Sequence, residues 1–315
     1  MNIGRQKQQG VAVIMVLLVL AIVAVTTSAL VKRHQFNQAM TSQVIHLGQA
    51  KAHIQGGELW AHAILKQDRN DNSIDHLGET WAQIALPMPV EQGFVSGRII
   101  DLQGKFNLNS VVKGNNPQQN TVAIFERLLE NLGLEKGLSV NLIDWIDPDL
   151  ETAQGTLEDA YYLGLETPYR SANQALRDVS ELALVQGFDV NIVETLKPYV
   201  TATAYTSTIN VNTAPVIILE ALSPIISATK AQELATLRQL DHFSSVKDFV
   251  DIALGPKTQA NATQWDLLAS HSNISSQHFE INISAQFGVA KTRVESRVYR
   301  SDSGVISVAS RIYAP

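Results

Sequence analysis

The hydrophobic pattern of the chain changes character twice. Residues 11–31 form an uncharged apolar run, VAVIMVLLVLAIVAVTTSALV, with Arg5 and Lys7 before it and Lys32 and Arg33 after it. A helix rises about 1.5 Å per residue, so this run is about 30 Å long, the thickness of a bilayer's hydrocarbon core. Beyond it, apolar residues recur mostly at three- and four-residue steps: Phe36, Ala39, Met40, Val44, Leu47, Ala50, Ile54, Leu59, Ala61, Ile64 and Leu65. Together the two stretches predict one helix of about 55 residues, apolar all round in its first half and one-sided in its second. Gly56-Gly57 is the expected bend, and the turn chemistry of residues 68–76, DRNDNSIDH, ends the helix. A helix with one apolar face needs a sheet to cover it.

Strand-like alternation follows at 94–101 and 105–109, joined by Leu102-Gln103-Gly104 as an expected tight hairpin. The strand pattern then stops for about 160 residues. Segments 121–132, 139–146, 175–185, 190–200, 214–226, 229–240 and 245–254 read as helices between loops rich in Gly, Pro and Asp. Strands return at 279–287, 292–299 and 305–313, with turns at Gly288 and residues 301–304. Hairpin, helical block, three strands is the order of an α+β fold: a long N-terminal helix packed on an antiparallel sheet, with a large all-α domain inserted between the strands.

Composition narrows the chemistry. The chain has 315 residues, no cysteine and a formal net charge of −6. Disulfides and Cys-based metal sites are excluded, and the acidic balance argues against a phosphate-backbone ligand. The same balance leaves room for calcium, a hard cation that prefers oxygen ligands. Catalytic signatures are missing: no Gly-x-Ser-x-Gly, no His-Glu-x-x-His, no phosphate loop. His34, His46, His53, His62 and His76 lie on or just beyond the long helix; with no carboxylate partners evident, a solvated face is expected for His46 and His53. The four tryptophans, Trp60, Trp81, Trp145 and Trp265, are expected in cores.

The densest acidic stretch is DWIDPDLETAQGTLED, containing Asp144, Asp147, Asp149, Glu151, Glu158 and Asp159. Counted from Asp147, acids fall at positions one, three, five and twelve, the ligand order of an EF-hand loop. The sixth position is Thr152 where the sharp turn needs Gly, so the match is partial. A bound divalent ion or plain solvation would equally relieve the mutual repulsion. Two other segments echo each other, FNLNSV at 106–111 and INVNTA at 209–214. Asn, Ser and Thr cap helices and satisfy turns, so both are expected as entry corners into helical lobes. The second, followed by a Leu-rich helix, also resembles the helix-hairpin-helix of DNA-uptake proteins. Its hairpin, Leu222-Ser-Pro-Ile-Ile-Ser227, lacks the glycines that let backbone amides approach phosphate.

Three readings fit the N-terminus: a removable secretory signal cut near Thr27-Ser28-Ala29, a plain transmembrane anchor, or a class III leader. Gly10 stands at the boundary between the basic leader and the apolar helix, an arrangement that resembles type IV pilins and pseudopilins. Those are cut by a prepilin peptidase after the glycine, which here would leave Val11 as the mature N-terminus. Most such subunits carry Glu as their fifth residue; here that position is Met15. The K-type minor pseudopilin of type II secretion lacks this Glu. DWIDPD, the run Gly155, Glu158, Asp159, Tyr162, the segments YRSAN at 169–173 and DVSEL at 178–182, and the Asp101-x-x-Gly-x-Phe-Asn-Leu-Asn109 stretch all resemble that family.

The resemblance implies a leader at 1–10, a membrane and assembly helix at 11–31, a pilin-like domain at 32–110 and 275–315, and an inserted helical domain at 111–274. It also implies a structural Ca2+ held among Asp147, Asp149, Glu151, Glu158 and Asp159. The implied role is structural and not enzymatic: a tip complex with I- and J-type minor pseudopilins, and an H-type as a further candidate, that starts a secretion pseudopilus. The remaining implied partners are the assembly platform, the prepilin peptidase and the membrane, with no nucleic acid. The implied location is the bacterial inner membrane, single-pass, with the globular part in the periplasm. Two other classes stand beside it: an exported DNA-binding module using residues 210–237, and a calcium-dependent hydrolase at the acidic loop, for which no nucleophile is evident.

Overall fold

A computed structural model describes residues 8–83, 85–91, 93–148, 159–203 and 208–314. Helix α1 runs unbroken over Gln8–Asp71. Its first half is exposed on every side, and it is the one described helix long and apolar enough to cross a membrane. From Ala50 onward its apolar face is buried: Ala50, Ile54, Ala61 and Leu65 pack on Phe279, Ile281, Ile283, Phe287, Val294 and Val298. The expected bend is absent. Gly57 is instead a point of close approach, where a Cβ would stand 3.1 Å from Ile283 Cδ1, whereas Gly56 faces open space. Packing on the sheet holds this stretch helical against its weak intrinsic propensity.

The sheet has five antiparallel strands in the order β1 (Ala85–Val90), β2 (Gly93–Asp101), β3 (His278–Phe287), β4 (Ala290–Arg300) and β5 (Ile306–Ala314). β2 pairs with β3 along its whole length, from Gly93 opposite Phe287 to Asp101 opposite Phe279. The long helical block therefore sits between two strands that are neighbours in the sheet, the α+β arrangement that the element order predicts. Two details differ. Residues 85–90, ALPMPV, form an edge strand despite Pro87 and Pro89, which the edge position tolerates. And 102–104 is not a hairpin. Asp101 Oδ1 accepts from Gln103 N–H and Leu102 N–H donates to His278 O, turning the chain out of the sheet. Phe106–Asn107 then pairs in parallel with Val200–Thr201.

The block holds α2 (Gln119–Asn131), α3 (Leu138–Ile146), α4 (Asp159–Leu163), a 3-10 turn at Val179–Leu184, α5 (Val190–Leu196), α6 (Val216–Ala221), α7 (Ala228–Leu240), α8 (Val246–Leu254) and α9 (Ala262–His271). It encloses its own core, separate from that under α1 and centred on Phe106, Phe125, Leu128, Leu142, Leu196, Ile218, Leu234 and Phe249. The two echoing segments open two copies of one unit. Ile209–Asn210 pairs in parallel with Ser272–Asn273, as Phe106–Asn107 does with Val200–Thr201. Asn109 exchanges two hydrogen bonds with the backbone of Leu176 (2.8 and 2.9 Å), and Asn212 does the same with Phe243 (2.9 and 3.0 Å). Two residues beyond each partner stands an N-cap, Asp178 and Ser245. The copies diverge in the connection that precedes each backbone partner. From the end of α3 to Leu176 the first unit inserts a long segment, whereas in the second Phe243 follows the end of α7 almost directly.

Candidate functional site

The inserted segment is the acidic stretch. Asp147 is the C-cap of α3, its N–H bonded to Ile143 O (2.9 Å), and its side chain is buried. Asp149, Glu151 and Glu158 lie outside the described residues, and Asp159 is described only as the first residue of α4. The described residues on either side of 149–158 are joined by aromatic packing. Trp145, next to the loop's start, meets Tyr162 of α4 edge-on at 5.1 Å, and Tyr169 lies against both. Tyr162 Oη accepts from Gln186 N–H, and burial pushes its hydroxyl up to about 12. Asn173 takes a left-handed conformation (φ 46°), which Asn tolerates, and its N–H returns to Trp145 O (3.0 Å). A buried carboxylate such as that of Asp147 is an oxygen donor of the kind a hard cation takes.

A second acidic cluster was not evident from sequence. Asp68 and Asp75, at and after the end of α1, and Glu79 bring carboxylate oxygens within 4.8 Å of one another, a spacing that could hold a metal ion. A side-chain cation already serves two of them. Arg300, at the end of β4 and 1% exposed, donates to Asp68 Oδ2 (2.7 Å), Asp75 Oδ1 (2.5 Å), Leu65 O (3.2 Å) and Ser276 O (2.8 Å). Glu79 instead accepts from Asn72 Nδ2, His76 N–H and Trp81 Nε1. Burial, with the Glu79 and Asp75 charges, outweighs Arg300 and pushes Asp68 up to about 7; burial raises Asp75 as well. No sequence signal links residues 68–79 to Arg300, more than 220 positions away.

Beside this cluster the second echoing segment meets the sheet. Asp101 Oδ2 accepts from Thr213 Oγ1 (2.6 Å), Ser276 Oγ (2.6 Å) and Asn210 Nδ2 (3.1 Å), and burial raises its carboxyl to about 6. Asn210 Nδ2 also reaches Asp75 O (3.0 Å). His76 stacks on His242 of the helical block, ring centroids 4.1 Å apart, and burial holds His76 below its usual range. The first Asn-x-Asn does cap a turn, since Asn107 accepts from Asn109 N–H. The second makes the same turn, Asn210 Oδ1 accepting from Asn212 N–H (3.0 Å), but α6 starts at Val216 with no side-chain cap from Pro215, and Asn210 Nδ2 also fastens the helical block to the sheet.

The remaining candidates are placed as follows. Gly10 and Val11 lie in the exposed first turns of α1. His46 sits half-buried against the Gly288 turn, whereas His53 stacks on Phe287 yet stays exposed, so the expected solvated face holds for His53 and not for His46. Trp81 and Trp145 are buried, but Trp60 is exposed. Around the 222–227 hairpin, Arg127 donates to Ala221 O and Leu222 O, and Arg238 donates to Val211 O and Ala214 O. Both guanidiniums are committed to the protein's own carbonyls.

Known proteins match this arrangement along its length. Family models for the type II secretion system protein K match residues 104–205 and 209–268, dividing the helical block where its two copies meet. A type II secretion system protein K from Pseudomonas aeruginosa is 33% identical across 98% of this chain and 93% of its own length. One from Klebsiella pneumoniae is 34% identical across 98% of both. In fold, the chain resembles a chain of the GspK–GspI–GspJ complex from enterotoxigenic Escherichia coli, with a TM-score of 0.74 and 24% identity, over 90% of this chain and 99% of that one. The chain belongs to the type II secretion system protein K family.

Proposed function

We propose that this chain is the minor pseudopilin that sits at the tip of a type II secretion pseudopilus and starts its assembly with I- and J-type subunits. The reading rests on family membership across nearly the whole chain, and the solved relative's complex with GspI and GspJ supports those partners. The physical logic agrees with it. α1 leaves the globular body with its first half uncovered, as a subunit drawn from a membrane into a fibre requires. The neutral Met15 leaves this subunit without a buried charge to pair with the N-terminus of a subunit above it. The helical block broadens the body on the side away from the membrane, which fits an end piece better than a repeating one. The prepilin peptidase would cut after Gly10, the anchor would be residues 11–31 in the inner membrane, and residues 32–110 with 275–315 would carry the insert 111–274 in the periplasm.

Calcium is assigned to the acidic loop, with ligands drawn from Asp147, Asp149, Glu151, Glu158 and Asp159. Two features support this: the buried Asp147 carboxylate where α3 ends, and the absence of a corresponding segment from the second copy of the unit. When bound, the ion would neutralise the loop and fix its course. Nothing favours the DNA-binding reading, because the cations near the hairpin are already used. N-terminal sequencing and intact mass of the membrane-extracted protein, with and without prepilin peptidase, test the class. A peptidase-dependent start at Val11 is expected; a start at Leu30 or an uncut Met1 would overturn it.

A further inference from the structure

The two edges of the sheet are unlike. β1 is interrupted by Pro87 and Pro89, which lack N–H donors and blunt it against further pairing. β5 is nine residues long, contains no Pro, and has Arg311 as its one charged residue. That charge is committed inward, to Glu58 on α1 (2.8 and 3.0 Å). Among the described residues β5 pairs with β4 alone, so its outer row of N–H and C=O groups is open. Val308, Ile312 and Tyr313 on it are exposed. Two grooves, about 780 and 810 Å³, lie between the sheet's second face and the first helical lobe, and Arg297 stands between them. β5 lines both: Ile312 and Ala314 the first, Ala309 and Ser310 the second. An open edge supplies main-chain pairing, and adjoining grooves take alternate side chains of an added strand.

The direction of β5 identifies the source of that strand. β4 runs beside α1 from the level of His46, against the Gly288 turn, to the level of Leu65, bonded by Arg300. β5 returns antiparallel to β4, so it too lies along the helix axis. With α1 crossing the membrane, the free edge points sideways, where fibre neighbours stand, and not upward toward cargo. α1 presents a matching strip. Phe36, Met40, Val44 and Leu47 are exposed, and at about 100° per residue they fall within an arc of about 80° that also contains Ile54 and Leu65, buried on the sheet, and Glu58, which meets β5. The stripe therefore carries the sheet-covered face of α1 on toward the membrane, uncovered, below the level at which β5 runs.

We propose that β5 receives an extended, uncharged strand from a neighbouring subunit of the tip complex, whose helix covers the Phe36–Met40–Val44–Leu47 stripe. This rests on the tip reading above. The test is hydrogen exchange, read by mass spectrometry, on the full-length chain in detergent, alone and with the I- and J-type subunits of the same system. Residues 306–314 are expected to exchange more slowly in the complex by on the order of tenfold or more. Because the chain has no cysteine, Ser310→Cys gives a single thiol, expected to react with maleimide in the free chain and to be protected in the complex. Ile312→Asp, at an exposed position, should leave the thermal midpoint unchanged and weaken complex formation. A complex that forms while 306–314 exchanges as in the free chain would overturn the proposal. Protection that grows with concentration of this chain alone would assign the edge to a second copy and also overturn it. Failure of any complex to form would overturn the tip reading, and the strand proposal with it.

Discussion

Removing the guanidinium of Arg300 tests whether the junction between helix, sheet and helical block is held by one buried cation. Arg300→Met keeps much of the side-chain volume over the Phe279 ring, which the guanidinium now covers at 4.7 Å. It strips Asp75 and Asp68 of their cation and leaves the carbonyls of Leu65 and Ser276 without this donor. Breaking a buried ion pair from one side costs about 3–5 kcal/mol, because the remaining charge stays desolvated. Asp68 is partly screened by solvent, so the lower half of that range is expected. The pH dependence carries the sharper signature. Asp68 and Asp75 already bind protons more tightly folded than unfolded, so each contributes stability that rises as pH falls through its folded value toward the ordinary carboxylate range. Without Arg300 both carboxyls would rise further, so the variant's deficit should be largest near pH 8 and shrink toward pH 5. Urea denaturation of the detergent-solubilised chain across that interval measures it. A deficit under about 1 kcal/mol, or one that does not change with pH, would refute the argument.

Asp101→Asn should flatten the stability profile: with its carboxyl raised to about 6, wild-type Asp101 costs stability as pH rises from about 4 to 6, worth about 3 kcal/mol over the full window, and the variant loses that slope in the same urea series. The adjacent glycines of α1 should respond with opposite signs. Gly56→Ala, facing open space, should stabilise by about 0.5–1 kcal/mol, whereas Gly57→Ala must displace Ile283 and should destabilise by about 1 kcal/mol or more, read as thermal midpoints. Chelation should lower the thermal midpoint of the wild-type chain, and the difference between calcium and EDTA should vanish in Asp147→Asn if Asp147 is a ligand; an unchanged midpoint on chelation counts against calcium.

What was legible in the sequence is what repeats at short range. α1 announces itself by composition and then by three- and four-residue steps, and the last three strands by two-residue alternation bounded by Gly288 and the 301–304 turn. β1 was hidden by its two prolines, which are strand breakers everywhere but at an edge. The segment 175–185 reads as a helix but keeps a 3-10 turn, because the Asp178–Glu181 capping box closes it tightly and Val185 resumes an extended course. The 102–104 turn departs from its local pattern for a different reason. Leu-Gln-Gly suits a hairpin, yet Asp101 is held by Thr213, Ser276 and Asn210, groups 109 to 175 positions away, and that network decides where the chain goes next. Local pattern cannot encode a partner at that distance. Of the candidate metal residues, Asp147 alone has a described side chain, and it is buried where α3 ends.

The doubled architecture separates what carries the fold from what is added to it. Both copies use the same fastening, an Asn side chain closing on the backbone two residues before an N-cap, and a short parallel pairing that returns the chain to its start. The second copy does this with a connection of a few residues between α7 and Phe243, so a unit of this kind closes without an acidic loop. In the first copy the connection from α3 to Leu176 is about thirty residues long and includes α4, and Tyr162 and Tyr169 pack on Trp145 to join its two sides. The second copy diverges in the other direction: its Asn210 reaches out of the helical block to Asp101 and Asp75, while Asn107 of the first copy serves within its own lobe. One copy therefore anchors the block to the fibre-forming domain. The other, joined to the sheet by the Arg297–Asp178 pair across the open grooves, is free to carry the loop and to border an added strand at β5. The two copies of one scaffold thus stand differently toward the sheet: the second is bonded to Asp101 and Asp75, and the first faces it across the grooves that β5 borders.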